Sequence, residues 1–288
     1  MYEVDLALDA RALVGECPVW DTHRECLWWV DVRRGEVHRY DGVVDDVVVR
    51  APGETLSAVV PRTDGGLLIA RGSHLDARST DGVVDWSIEC PDGDRLNDGK
   101  CDPVGRFLVG SLTYDPSRGV SALYAVTARP SPDVRRLLGG LGLSNGLGWS
   151  PDAMLLYFVD TATRRVDVFD YDAETGCIAG RRCLADLADH PGNPDGLAVD
   201  AQGCVWVAMS GAGRILRVSP RGDLVGTVEL PVSRVTSCTF GGSRLTELYV
   251  TTASYGLDDQ QRRLQIYAGG LFVIDVGIAG LPAIAFPN

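Results

Sequence analysis

The chain has 288 residues, 45% of them hydrophobic and 23% charged, a globular composition that excludes a disordered or fibrous protein. Its 39 acidic and 27 basic residues give a net charge of −12, and Lys100 is the sole lysine among the bases. Such a surface repels phosphate backbones and anionic lipid, which sets nucleic acid and membrane surfaces aside as partners.

The first residues, MYEVDLALDARAL, carry acids where a signal peptide needs bases and have no long apolar stretch, so a cytoplasmic location is expected. From there six short apolar runs recur in order: LWWVD (27–31), LLIAR (67–71), FLVGS (107–111), LYFVD (156–160), VWVAM (205–209) and LYVTT (248–252). Successive starts differ by 40, 40, 49, 49 and 43 residues. Each run is rich in leucine, β-branched and aromatic residues and is too short for a helix. Gly, Pro, Asp or Asn precedes each, in WDTHRE, PRTDGG, DPVGR, SPDAM, DAQGC and FGGSRLTE, where a tight turn needs preset or positive φ angles. Several runs are followed at hairpin distance by a second short strand, as in EVHRYD, RVDVFDYD, RILRVSP and LFVIDV.

Helical periodicity is almost absent; only RRCLADLADH (181–190) predicts a turn or two of helix. The apolar stretch 268–287 contains Asp275, four glycines and two prolines, which predicts a buried strand and a turn in place of a membrane span. The eight cysteines form no C-x-x-C and mostly adjoin apolar strand residues. They read as free buried thiols, with a Cys177–Cys183 bridge across a hairpin as the minor alternative. Six all-β units of this period predict a six-bladed β-propeller with four-stranded antiparallel blades, one domain over residues 1–288. A β-sandwich would not repeat six times at this spacing.

Ten or eleven residues before each apolar run lies a polar residue: Glu16, Ser57, Asn97, Asn145, Asp195 and Ser237. The first strand of a propeller blade lines the central channel, so equivalent positions in different blades converge on the axis. Asn and Asp also open strands merely because they make good turns. Four at matching offsets, each beside glycine or proline (GECP, LNDG, SNGLG, NPDG), favour a shared site. Two carboxylates and two amides form an all-oxygen set suited to one divalent cation, Ca²⁺ or Mg²⁺, with Mn²⁺, Fe²⁺ or Zn²⁺ open. Ser57 and Ser237 mark the blades that contribute no ligand.

The segments GECPVWD, RLNDGKCDPVGR, LSNGLGWSPD, NPDGLAVDAQGCVWVA and VTSCTFGGSRLTELYVTT, in this order, resemble the senescence-marker-protein, gluconolactonase and regucalcin family from Leu13 to about Gly270. The resemblance implies a six-bladed propeller with one divalent metal in its channel and hydrolysis of a sugar lactone. It implies Glu16, Asn145 and Asp195 as metal ligands, and Asn97 and Arg95 as substrate contacts. The expected reaction opens a small lactone to its hydroxy acid. The metal polarises the carbonyl, and Asp195 takes the proton of the attacking water. The alternatives are a non-catalytic propeller binding a divalent metal or small ligand, and an esterase or phosphotriesterase acting on another ester. A monomer or weak homodimer with a small-molecule partner is expected.

Two positions depart from the family pattern. Cys17 stands where members usually carry glycine. It is either a small buried residue or one that narrows the pocket or favours a softer metal. The loop LTYDPSRGV (112–120) lacks the glutamate that some sugar-lactone members extend toward substrate, leaving Tyr114, Asp115, Arg118 or simply a solvated turn at Pro116. Asp98 is read as orienting Asn97 or Arg95, His190 as a surface residue or proton relay, and Asp31 and Asp160 as turn caps. No G-x-S-x-G elbow, Walker loop, dinucleotide fingerprint or zinc signature occurs.

Overall fold

A computed structural model describes residues 2–128 and 131–288. Short strands pair into six four-stranded antiparallel sheets. Strand β1 (Asp5–Leu8) stands apart from the first blade, which is β2 (Gly15–Asp21), β3 (Cys26–Asp31), β4 (Glu36–Tyr40) and β5 (Asp45–Arg50). The second is β6 (Leu56–Pro61), β7 (Leu67–Arg71), β8 (His74–Arg78) and β9 (Val84–Glu89), and the third is β10 (Arg95–Cys101), β11 (Phe107–Leu112), β12 (Ser121–Thr127) and β13 (Asp133–Leu141). The fourth is β14 (Ser144–Trp149), β15 (Leu155–Asp160), β16 (Arg165–Asp172) and β17 (Cys177–Asp186), and the fifth is β18 (Asn193–Val199), β19 (Val205–Ser210), β20 (Arg214–Val218) and β21 (Leu224–Glu229). The sixth contains β22 (Val235–Gly241), β23 (Glu247–Thr252) and β24 (Leu271–Asp275), and its outer strand is β1.

This is the predicted six-bladed propeller, with one addition. Strand β1 pairs antiparallel with β24, Asp5 opposite Val273 and Leu6 opposite Phe272, so the two ends of the chain share the last blade. Blades six and one then meet through Trp20 stacked on Tyr249 at 5.4 Å and through Thr236 Oγ1 donating to Gly15 O at 2.6 Å. All six apolar runs are second strands, buried on both faces by neighbouring blades, which explains their continuous hydrophobicity.

The turn chemistry has a concrete role. Asp21, Asp102 and Asp200 end or follow first strands, and each accepts two backbone N–H groups from the turn beyond it. These Asx-type bonds fix hairpins that would otherwise leave donors unpaired. Asp31 and Asp160 cap turns at the other end, as expected. Asp31 accepts from Leu13 N and Val14 N, and Asp160 from Gly142 N and Leu143 N, each fastening a blade to the chain entering it.

Two readings are corrected. Residues 181–190 form no helix; through Asp186 they belong to β17, an exposed outer strand paired with β16, and a turn follows. Among the described residues the one α-helix, α1 (Asp259–Leu264), lies in the β23–β24 connection and carries a capping box between Asp258 and Gln261. Cys177 and Cys183 lie six residues apart along the same strand β17, about 20 Å at strand rise, and cannot bridge. All eight cysteines are free, six of them buried. Stretch 268–287 is β24 followed by irregular chain, and among the described residues no helix is long and apolar enough to cross a membrane.

That last segment spans one end of the channel. Ala201 N donates to Ala279 O, Phe286 N to Pro61 O and Thr63 N to Phe286 O, so it runs from blade five to blade two. Beneath it lies a cavity of about 230 Å³ lined by Val60, Lys100, Trp149, Ala198, Phe240 and Leu281. Phe286 is fully buried and packs against Trp86 at 6.1 Å. Phe286→Ala should lower unfolding stability by about 3–5 kcal/mol, measured by chemical denaturation. An unchanged midpoint would show that this segment contributes nothing to the core.

Candidate functional site

The candidate residues sit where the first strands begin, at the end of the channel opposite that cavity. Each first strand breaks register there. The ladder skips between Leu96 and Gly99, Ser144 and Leu147, Pro194 and Leu197, Leu56 and Ala58, and Glu16 and Val19. Asn97, Asn145, Asp195 and Ser57 therefore lie within bulges, and Glu16 immediately precedes one. A bulge frees a residue from the ladder and re-aims its side chain, here toward the axis. Glycine follows two of these residues because the adjoining strand presses in. A Cβ on Gly146 would lie 2.4 Å from Leu197 N, and one on Gly196 would lie 2.0 Å from Ser237 Oγ.

Cys17 explains its own departure. It is a non-glycine residue with φ of 45°, in the left-handed region that glycine occupies without strain. Its thiol is buried and donates to Gly99 O at 3.4 Å. Burial, and then Asp98, push its pKa well above the usual thiol value. Its hydrogen bond to Gly99 O and its burial fit the small buried residue.

Three carboxylates face one another across the axis. The Glu16 carboxyl is pushed well above its ordinary pKa, first by burial and then by Asp195 and Asp98; the Cys17 N–H, at 3.0 Å, and Arg95 oppose the rise. Asp195 is likewise pushed up by burial and by Asp98, against the dipoles of Asn145, the Gly196 N–H and Ser210. Asp98 rises through burial while Lys100 lowers it. Asp98 contacts neither Asn97 nor Arg95; it accepts from Gly99 N at 2.7 Å, which replaces the expected orienting role.

The amides complete the site. Asn145 is buried, its Nδ2 donates to Thr161 Oγ1 at 3.1 Å, and Thr161 Oγ1 donates to Pro194 O at 2.8 Å. Its Oδ1 is buried with no hydrogen-bond partner. Thr161 therefore sets the amide's orientation; sequence reading missed it, although it directly follows the LYFVD run. Asn97 Oδ1 accepts from Arg95 Nη1 at 3.0 Å, and its Nδ2 donates to Ser144 O at 2.9 Å. Below this layer Lys100 Nζ reaches from blade three to Leu197 O in blade five at 3.0 Å. Ser57 and Ser237 are buried, and His190 lies on the loop before β18, where its carbonyl accepts from Arg164.

An orphaned buried carbonyl oxygen beside two mutually repelling carboxyls fits a hard divalent cation, which supplies what each lacks. Among the described residues no three His, Cys, Asp or Glu side chains converge as a ligand group, so any such set must include the amide.

The family model described as SMP-30/gluconolactonase/LRE-like region matches residues 14–254. The chain belongs to that family. Regucalcin of Danio rerio is 34% identical, with 99% of this chain and 98% of that protein covered. Regucalcin of Xenopus laevis is 36% identical over the same shares. Among solved structures, a protein from Agrobacterium tumefaciens described as calcium-binding regucalcin is 27% identical, covers 99% of this chain and 97% of its own, and superposes with a TM-score of 0.91. The chain is thus a propeller of the gluconolactonase and regucalcin type.

Both carboxyls have folded-state pKa values above those of the unfolded chain, so their contribution to stability is fully present in acid and falls as pH rises through the raised values. A cation removes that penalty. The stabilisation by excess calcium over chelator, about 2.7 kcal/mol at a hundredfold excess over Kd, should widen from pH 5 to pH 7.5 in thermal melts. Glu16→Gln should shrink it. A gain that is the same at both pH values would remove these carboxyls from cation binding.

Proposed function

We propose that this protein hydrolyses a small, sugar-derived lactone to its hydroxy acid in a reaction that depends on one divalent cation. The supporting observation is the buried, mutually repelling Glu16–Asp195 pair beside the unpartnered Asn145 Oδ1. Glu16, Asn145 and Asp195 would hold the cation. When bound, it supplies Lewis acidity toward the lactone carbonyl and balances the two carboxylates.

The chain's own residues do the rest. Asp195, desolvated and therefore more basic than a surface aspartate, takes a proton from the attacking water. The water oxygen bonds to the carbonyl carbon, the acyl–oxygen ring bond breaks, and the proton passes from Asp195 to the departing ring oxygen. Arg95 and Asn97, locked to each other and to Ser144 O, present donors that orient the ring. The hydrogen-bonded amide of Asn145 keeps its carbonyl turned to the site through Thr161. The calcium-binding description of the Agrobacterium relative makes calcium the first cation to test.

The test is acid release from a panel of γ- and δ-lactones by metal-loaded and chelated protein. Asp195→Asn should retain the fold and lower kcat by about 10²–10⁴-fold, the usual scale for a general base. Wild-type rates in that variant would remove Asp195 from the mechanism. Cation-dependent stabilisation with no turnover of any lactone or ester would leave a binding protein.

A further inference from the structure

Two arginines on the rim of the channel above the site make no ion pair among the described residues, although the Glu16 carboxyl attracts Arg95 from beyond ion-pair distance. Arg95 opens β10 and is half-buried; its Nη1 donates to Leu96 O at 2.7 Å and to Asn97 Oδ1, and it also meets the Tyr114 hydroxyl. Among the described residues no carboxylate lies within ion-pair distance of it. Arg33 projects from the β3–β4 turn, exposed, with its guanidinium 3.6 Å over the Tyr255 ring. It too has no ion-pair partner among the described residues, although the adjacent Arg34 pairs with Asp31. Arg33 stands close enough to Arg95 for the two charges to repel.

Most described arginines of this chain, which has a net charge of −12, pair with an acid; Arg95 and Arg33 are set apart from the others that do not by their place beside the carboxylate site. The charges along the axis can be matched in turn. A divalent cation balances Glu16 and Asp195, and Lys100 faces Asp98. Two acids lie on this rim: Asp94 is engaged by Tyr114 N, Thr113 Oγ1 and, at 3.9 Å, Arg118, and Asp115 accepts from Ser117 N and Oγ. Arg33 is left without a counter-charge, and so is Arg95 once a cation has taken up Glu16. A half-buried cation without a partner costs stability unless a ligand supplies the counter-charge.

Resting on the lactonase reading above, we infer that the substrate is an anionic lactone, bearing a carboxylate or phosphate group that Arg95 and Arg33 clamp while the lactone carbonyl lies over Glu16, Asn145 and Asp195. Guanidiniums form charge-assisted, forked hydrogen bonds with either anion. The stacked tyrosine ring holds Arg33 in place without neutralising it. The loop 112–120 carries no glutamate, and its one acid, Asp115, is engaged by Ser117.

Metal-loaded protein would be assayed on glucono-δ-lactone, glucaro-1,4-lactone and 6-phosphoglucono-δ-lactone. One or both anionic lactones should exceed the neutral one in kcat/KM by roughly tenfold or more, the scale of one hydrogen bond to a charged group. Which of the two leads identifies carboxylate or phosphate. Arg33→Met should reduce the anionic-to-neutral ratio about tenfold, mainly through KM, and Arg33→Lys should restore part of it. Raising ionic strength should lower the ratio for wild type more than for Arg33→Met. Turnover that is equal on all three, or better on the neutral lactone, overturns this inference and leaves the lactonase reading standing. Turnover of none overturns the lactonase reading itself. In that event calorimetry with glucarate against gluconate still reads the rim, and equal affinities for the two overturn the clamp.

Discussion

Three carboxyls, Glu16, Asp98 and Asp195, are buried near one another on the axis of this protein, where each disfavours its neighbours' ionisation and where Lys100 and Arg95 oppose that effect. In a flexible molecule such groups would part and hydrate. Here each is carried by a different blade, and the blades form a closed ring that cannot open without breaking a sheet. The last seam in that ring is β1 on β24, together with the Trp20–Tyr249 stack. The placement of these three carboxyls is therefore maintained by contacts far from them.

The bulges make that arrangement specific. A regular strand would alternate its side chains between the two adjoining blades and point few of them at the axis. Breaking register at Asn97, Asn145 and Asp195 turns these residues inward, while the remainder of each strand keeps its ladder and its packing. Gly146 and Gly196 admit the adjacent strand at the break. Cys17 fills the equivalent place in blade one at a positive φ, a strain of order 1–3 kcal/mol, and its thiol ties β2 to the Gly99 carbonyl of β10.

The repeat was legible because it is written twice, once in the apolar second strands and once in the aspartate-rich turns that bind their own backbone. Multiplying a modest offset across blades then brought Glu16, Asn97, Asn145 and Asp195 together. Single-copy features were not legible. Nothing in DLAL says that it completes the sheet of residues 235–275, because that pairing exists only once the ring has closed. RRCLADLADH has helix-forming residues at helical spacing, but β16 offers it a free edge and the strand wins. Thr161 acts through hydrogen bonds to Asn145 and Pro194, which no spacing encodes.

The same division separates chemistry from selectivity. Axis residues are constrained by six neighbouring strands, so their types are tied to the fold and recur at fixed offsets. The rim is built from connections, Val32–Gly35, the 112–120 loop and the long β23–β24 excursion with α1, whose lengths the ring does not dictate. Arg33, Tyr114 and Tyr255 come from three such loops; Arg33 stacks on Tyr255 and Tyr114 meets Arg95, with Tyr114 72% exposed and Tyr255 46%. A change there costs the sheets little and alters what can approach the carboxylates. Selectivity for what enters the channel can therefore shift without disturbing the buried carboxyls on the axis.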